Sequence, residues 1–536
     1  VNTGLLMAAV IALITAAPAR RYGAPAPLLL VLVGLGIAWI PGLPSTTLDP
    51  DFVLFIVLPP LLYAAALDSS YLALRRNVAA VSSLAVLLPL ASTVVVGFVA
   101  YWVVPELPLG AAFVLGAIVA PPDAVAAQAI GRRLGLPRQI MTLLSGESLL
   151  NDATALTAYR IALGAAVGGV TSIWEGIGTF ALAAVGGTAI GLGVGLAVSK
   201  LRNWLDDPQM ETAMGLLAPF GIYWLGEEAH TSGVIAVVTA GLFLGQRSVR
   251  EGYATRLQDN AVWKSLEVVL ESFVFLLIGL QLPSVVRNLN KDQVPTLVWA
   301  TIAVLGTVIV VRLLWVRLFA MTSWGLRRLR DPEAQPPLWR NTFVVGWAGM
   351  RGVVSLAAAF AIPLTTDSDE PFPARDEIIF ITFAVVVGTL LLQGTTLPWV
   401  IRLLGVEGNE RQSDLVAMAG AQDRAGRKAM ARLKELVQQL PEGDPRREQA
   451  EALGNWVRAR KSQAWEQLGR GPGQIGESPT GAYRRMRLEV LRVQRESLIS
   501  DRDAGLIDDE VLRRALRQLD LTEGVLTDRL EREDQE

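Results

Sequence analysis

The stretch GESLLNDATALTAYR, Gly146 to Arg160, sets Glu147, Ser148, Asn151 and Asp152 within six residues of a strongly apolar run. On a helix Ser148 and Asp152, four apart, share one face, and Glu147 and Asn151 form the adjacent strip. Carboxylate, hydroxyl and amide oxygens suit a hard cation, and a carboxylate also takes up a proton. An ionisable residue at membrane depth costs at least ~2.5–3.5 kcal/mol, so such residues mark function. Two carboxylates in this setting need a positive partner, fixed or mobile. GWAGMRGVVSL offers a fixed one, Arg351, between Gly349 and Gly352; glycines there allow a close helix approach or a local break. GAIVAPPDAVAA sets Asp123 directly after Pro121 and Pro122. Two prolines remove two backbone donors and interrupt a helix, freeing carbonyls that can coordinate a cation.

These stretches lie among about thirteen apolar runs able to span ~30 Å of hydrocarbon. The runs cover roughly 4–18, 22–41, 51–68, 78–104, 109–130, 139–168, 172–199, 209–229, 231–245, 261–286, 294–319, 339–364 and 376–404. Asp123 falls in the fifth, the Asp152 stretch in the sixth and Arg351 in the twelfth. With thirteen spans, Arg20, Arg75, Arg132, Arg133, Lys200, Arg247 and Arg327 all fall in loops on one side. The opposite loops carry only Arg287, Lys291 and Arg375. The positive-inside rule then puts the N-terminus outside and the C-terminal tail in the cytoplasm. The fifth and twelfth runs are seven apart in order and cross in opposite directions. Interrupted helices at matching places suggest an inverted repeat around a midplane ion site. The expected fold is an all-α polytopic membrane protein with interrupted helices and a helical cytoplasmic C-terminal domain.

Composition agrees. The chain is 52% hydrophobic with only 18% charged residues, low for a soluble protein of 536 residues. From Val406 onward there are 25 acidic and 23 basic residues, about half of all the charges. That divides the chain into a membrane part, 1–405, and a polar tail, 406–536. The tail has helical spacing in DRAGRKAMARLKELVQQL and a Gly/Pro-rich loop, GRGPGQIGESPTG; it is read as a solvated helical domain, regulatory or dimerising. A net charge of −2 points away from nucleic acid. The absence of cysteine removes thiolate chemistry, and a single histidine, His230, removes a His-cluster metal centre. No nucleotide-binding loop suggests a pump or kinase, so no enzyme and no cofactor is expected. The residues alone reach a cation-handling transporter with a carboxylate site.

Five motifs go further. LPPLLYAAALDSSY, PPDAVA, GESLLNDATAL, ESFVFLLIGL and GMRGVVSLA together resemble the bacterial sodium/proton antiporters of the cation/proton antiporter superfamily, in the NhaP-like and exchanger branch marked by an Asn-Asp pair. The resemblance covers roughly residues 1–405. It implies a 13-helix fold in which a core domain moves against a dimerisation domain, a homodimer in the bacterial plasma membrane, and electroneutral one-for-one exchange of Na+ or Li+ for H+. By the same resemblance, Asp152 is the carboxylate that binds cation and proton alternately. Asp123 is its companion, Ser148 a hydroxyl ligand, and Asn151 the amide before the essential aspartate. Glu147 and Arg351 are implied to form a structural ion pair. The sequence departs from the family pattern at two places. Ala64 stands where many relatives are acidic, leaving Asp68, four residues on, as a substitute. Pro122 stands where many have Thr, so that position offers a carbonyl in place of a hydroxyl.

Other polar residues read as structural. Glu271 and Ser272 suit a buried polar contact, Arg160 and Arg312 suit snorkelling near helix ends, and Glu227, Glu228 and His230 suit an outer loop. Thr231 and Ser232 suit the cap of the ninth run. Competing functions are K+/H+ exchange on the same fold, a cation channel, and a receptor or anchor whose tail is the active part.

Overall fold

A computed structural model of the chain describes residues 3–21, 26–40, 50–104, 107–167, 173–205, 207–248, 252–287, 294–367, 369–406, 408, 410–441, 444–466, 479–504, 506, 508, 511–516, 518–520 and 522–524. Among them the chain is helical, with no strand and one isolated bridge between Thr365 and Pro371. Lipid offers no partner for backbone amides, so each segment must satisfy its own.

Helices α1 (Thr3–Arg21) and α2 (Ala26–Ile37) precede α3 (Leu58–Asp68), which is entered through a π-helical turn at Phe52–Val57. Next come α4 (Tyr71–Arg76) and α5 (Val78–Ser82), then a second π-helical turn, Ser83–Leu87, into α6 (Leu88–Val103). The chain continues as α7 (Leu109–Val119), α8 (Val125–Arg133), α9 (Arg138–Val167), α10 (Ile173–Leu205) and α11 (Pro208–Glu228). It then forms α12 (Gly233–Arg247), α13 (Tyr253–Leu280), α14 (Leu282–Arg287), α15 (Val294–Arg328), α16 (Trp339–Trp347), α17 (Val353–Phe360) and α18 (Arg375–Leu404). Each apolar run is thus one helix or consecutive helical segments. The fifth and twelfth runs are the interrupted ones: α7 stops at the two prolines and α8 resumes after Asp123, while α16 and α17 flank Ala348–Gly352.

Four helical segments are long and apolar enough to cross a bilayer by themselves: Val78–Val103, Trp174–Leu205, Val294–Arg328 and Arg375–Leu404. The second shows how they meet lipid. Trp174 and Trp204 are 80% and 78% exposed and lie about 45 Å apart along the helix at 1.5 Å per residue. That separation matches the two interfacial levels of a bilayer, where tryptophan concentrates. Packing between helices relies on small residues. A Cβ on Gly34 of α2 would lie 2.5 Å from the Leu276 carbonyl oxygen and 2.9 Å from Gly279 Cα of α13. The two helices therefore touch backbone to backbone, as membrane helices do where small residues meet.

Two buried apolar clusters form the interior of the membrane unit, and α9 contributes to both. Leu144 and Tyr159 belong to the cluster built around α6, α7, α17 and α18. Leu149 and Ala153 belong to the one built around α3, α11 and α12. The site helix is wedged between two packed bodies.

The chain divides into two compact units, Val1–Gly408 and Asn409–Glu536. In the second, α19 (Glu410–Gln438) packs on α20 (Arg446–Glu466), with Gly454 against Met430 and Leu433. α21 (Pro479–Asp503) is tied by Arg495 to Asp520 and Glu523, 2.6 and 2.5 Å away. Of the Gly/Pro-rich stretch, residues 479–481 begin α21 and the remainder lies outside the described residues.

Candidate functional site

The two helix interruptions meet. Asp123 N donates to the Met350 carbonyl at 2.6 Å, joining the break between α7 and α8 to that between α16 and α17. A side chain at Gly352 would collide with the Asp123 carboxylate, so this crossing requires glycine. Asp123 Oδ1 accepts from Val125 N at 2.8 Å, satisfying an orphan donor at the start of α8.

Broken helices leave carbonyls that need donors, and Arg351 supplies them. Its Nε donates to the Val119 carbonyl at 3.0 Å and its Nη2 to the Ala120 carbonyl at 3.4 Å; Nη1 donates to the Gly349 carbonyl. Its backbone N–H donates to Thr389 Oγ1 of α18 at 3.0 Å. The guanidinium therefore seals the C-terminal end of α7, where a cation also suits the helix dipole.

Glu147 pairs with a different arginine. Its carboxylate is bound in a two-pronged fork by Arg312 of α15, through Nη1 to Oε1 and through Nη2 to Oε2 at 2.8 Å. Arg312 Nη2 also donates to the Val345 and Ala348 carbonyls at 3.1 and 3.3 Å, closing the end of α16. Both side chains are 1% exposed. Two sequence expectations change here. The ion pair is Glu147–Arg312 and not Glu147–Arg351, because the Arg351 guanidinium donates through each of its three nitrogens to peptide oxygens at the breaks. Arg312 does not snorkel: α15 runs to Arg328, nine residues past the end of the apolar run, so Arg312 sits mid-helix. The helix length is the signal that locates it.

Asn151 is fully buried, and its Nδ2 donates to the Pro122 carbonyl at 2.6 Å. That bond holds the Asp152 helix against the first interruption and uses Pro122 through its carbonyl. Asp152 follows immediately. Among the described residues no group hydrogen-bonds or ion-pairs its carboxylate, which lies near enough to Asp123 for the two charges to interact. Ser148, one turn earlier, lines a funnel of about 1080 Å³ together with Ser145 and Leu149. Arg132, Arg133, Arg138 and Arg402 also line it. Asp68 is exposed on its wall at the end of α3 and makes no hydrogen bond to Asp152 or Asp123. Glu271 and Ser272 line the same wall, with Ser272 buried.

At the other end of α9 Arg160 does not stand alone; it meets Glu227 of α11 at 2.5 Å. Glu227 lies in the last turn of α11, not in a loop, and its Oε1 accepts from Gly233 N at 3.1 Å. Ser232 caps α12, accepting from Ile235 N at 3.2 Å.

A family model described as sodium/hydrogen exchanger, transmembrane, matches residues 6–403. The chain belongs to the sodium/hydrogen exchanger family. It is a multi-pass membrane protein of a transporter family. An uncharacterised Na+/H+ exchanger of Mycobacterium tuberculosis is 31% identical over 525 residues, covering 95% of this chain and 93% of the relative. A sodium, potassium, lithium and rubidium/H+ antiporter of Bacillus pumilus is 33% identical over 386 residues, 70% of this chain and 57% of the relative. The structure of the sodium proton antiporter MjNhaP1 from Methanocaldococcus jannaschii at pH 8 superposes with a TM-score of 0.60 over 75% of this exchanger and 98% of that chain. At 21% identity the likeness is one of fold.

Proposed function

We propose that this exchanger moves Na+ against H+, one for one, across the bacterial plasma membrane, with Asp152 binding the two in turn. The observation that carries the reading is the balance of charge around the helix crossing. Glu147 is cancelled by Arg312, the Arg351 guanidinium is spent on the Val119 and Ala120 carbonyls, and Asp123 accepts from Val125 N. Asp152 carries one negative charge and, among the described residues, no ion-paired cation. A single Na+ or a single proton neutralises it, and either cargo leaves the site with the same charge. Exchange is then electroneutral.

Deprotonated Asp152, with Ser148 and Asp123, offers the oxygen ligands that a hard cation takes; protonation removes the charge and releases the ion. Alternating access follows from the wedged position of α9. About thirteen spans in two inverted repeats place the interruptions at the midplane, with the funnel facing the cytoplasm, the N-terminus outside and the tail inside. The protein acts as a homodimer and needs no cofactor.

Purified protein in liposomes with an imposed pH gradient and a pH-sensitive dye tests this. Na+ or Li+ should collapse the gradient without generating current. A response to K+ alone would replace Na+ by K+ in this reading, and currents would mean a channel. No response to any of the three cations between acid and alkaline pH would refute exchange.

A further inference from the structure

The funnel lies on one side of Asp152 along α9. On the other side lies a cavity of about 10 Å³, near the least that holds one water molecule. It lies on the same helical stripe as the site. The funnel is lined by Ser145, Ser148 and Leu149, which precede Asp152 by seven, four and three residues. The cavity is lined by Ala155, Leu156 and Tyr159, which follow it by three, four and seven. At 3.6 residues per turn all six fall on the Asp152 face, and Tyr159 lies about 10 Å beyond the aspartate.

The cavity is apolar except for its oxygens. Tyr159 and Ser355 line it, buried to 7% and 2% exposure, and among the described residues neither hydroxyl has a hydrogen-bond partner. Buried hydroxyls are almost always paired, so two unpaired ones on one cavity point to an occupant. Ala117, Ile118 and Pro121 also line it. Pro121 and Pro122 lack the N–H groups that a continuous helix would direct to the Ala117 and Ile118 carbonyls, four residues back. Val119, Ala120 and Pro122 have their carbonyls capped by Arg351 or Asn151; Ala117 and Ile118 lie beyond those caps. The wall therefore offers only neutral oxygen donors, the set suited to a small hard cation and not to an anion.

We propose that Tyr159 and Ser355 form a second station for the transported cation, on the limb of the path opposite the funnel. A Na+ that has shed its water, and is then smaller than a water molecule, occupies it on the way to or from Asp152. This rests on the exchange reading above and adds a binding step on one side only.

The test measures half-saturating Na+ on each face, using everted and right-side-out membrane vesicles, for the wild type, Tyr159→Phe, Ser355→Ala and the double variant. Removal of either hydroxyl should raise half-saturating Na+ at least threefold on the face opposite the funnel and leave the funnel face unchanged. The double variant should be no worse than the more affected single one, because both serve one site. Equal values on both faces, whether unchanged or raised together, would overturn the station while leaving exchange intact. No exchange in the wild type would refute the functional reading and the station with it.

Discussion

Replacing Arg312 with Met gives the sharpest test of how charge is arranged around the crossing. The change leaves the Glu147 carboxylate, 1% exposed, without its partner. Breaking one side of a buried ion pair costs about 3–5 kcal/mol, because the remaining charge is buried unpaired. Arg312 also serves the Val345 and Ala348 carbonyls, two bonds worth about 0.5–1.5 kcal/mol each. Glu147→Gln alone should be similarly damaging, since it strands the guanidinium. The double variant has no stranded charge and should lose only about 1–3 kcal/mol, from the two carbonyl bonds. Thermal unfolding in detergent, followed by fluorescence-detected size-exclusion chromatography, would rank the three. Both single variants should melt well below wild type and the double variant clearly above either. If Glu147→Gln were rescued by Arg351→Met and not by Arg312→Met, the pairing described here would be wrong.

Other consequences follow from the same crossing. Asn151→Ala removes the buried bond to the Pro122 carbonyl; exchange in liposomes should fall at least tenfold, with about 1–3 kcal/mol lost in stability. Gly352→Ala should abolish exchange by displacing Asp123, whereas Gly306→Ala, with open space around it, should transport normally. Arg160→Gln breaks an ion pair whose arginine is 53% exposed, so its stability cost should stay below about 1 kcal/mol, readily told apart from Arg312→Met by the same melting assay. A chain ending at Gly408 should still exchange Na+ for H+ in liposomes, which a receptor acting through its tail would not do.

Much of this was legible in the residues. PPD and GMRG each predict an interruption from backbone chemistry alone, and α7/α8 and α16/α17 are broken where they stand. Asn151 and Asp152 were visible as a polar pair within an apolar run. Which arginine meets Glu147 was not, because the pairing joins residues 165 apart in the chain. Arg312 reads as a helix-end residue for a simpler reason: the hydropathy of its run fades near residue 319, while the helix continues through a polar end to Arg328. The charge of Glu227 suggests a loop; in the last turn of α11 it meets Arg160 and Gly233, brought there by packing. The crossing itself, Asp123 N to the Met350 carbonyl, is a backbone contact with no side-chain signature.

The most direct measurement is half-saturating Na+ as a function of pH in liposomes, with Asp152→Asn alongside. One carboxylate shared by two cargoes is a mass-action competition, so half-saturating Na+ should climb by up to about tenfold per unit of acidification while saturating Na+ restores the rate, and Asp152→Asn should be inactive though folded. A half-saturating Na+ that stays constant with pH, or transport surviving in Asp152→Asn, would contradict a single shared site at Asp152.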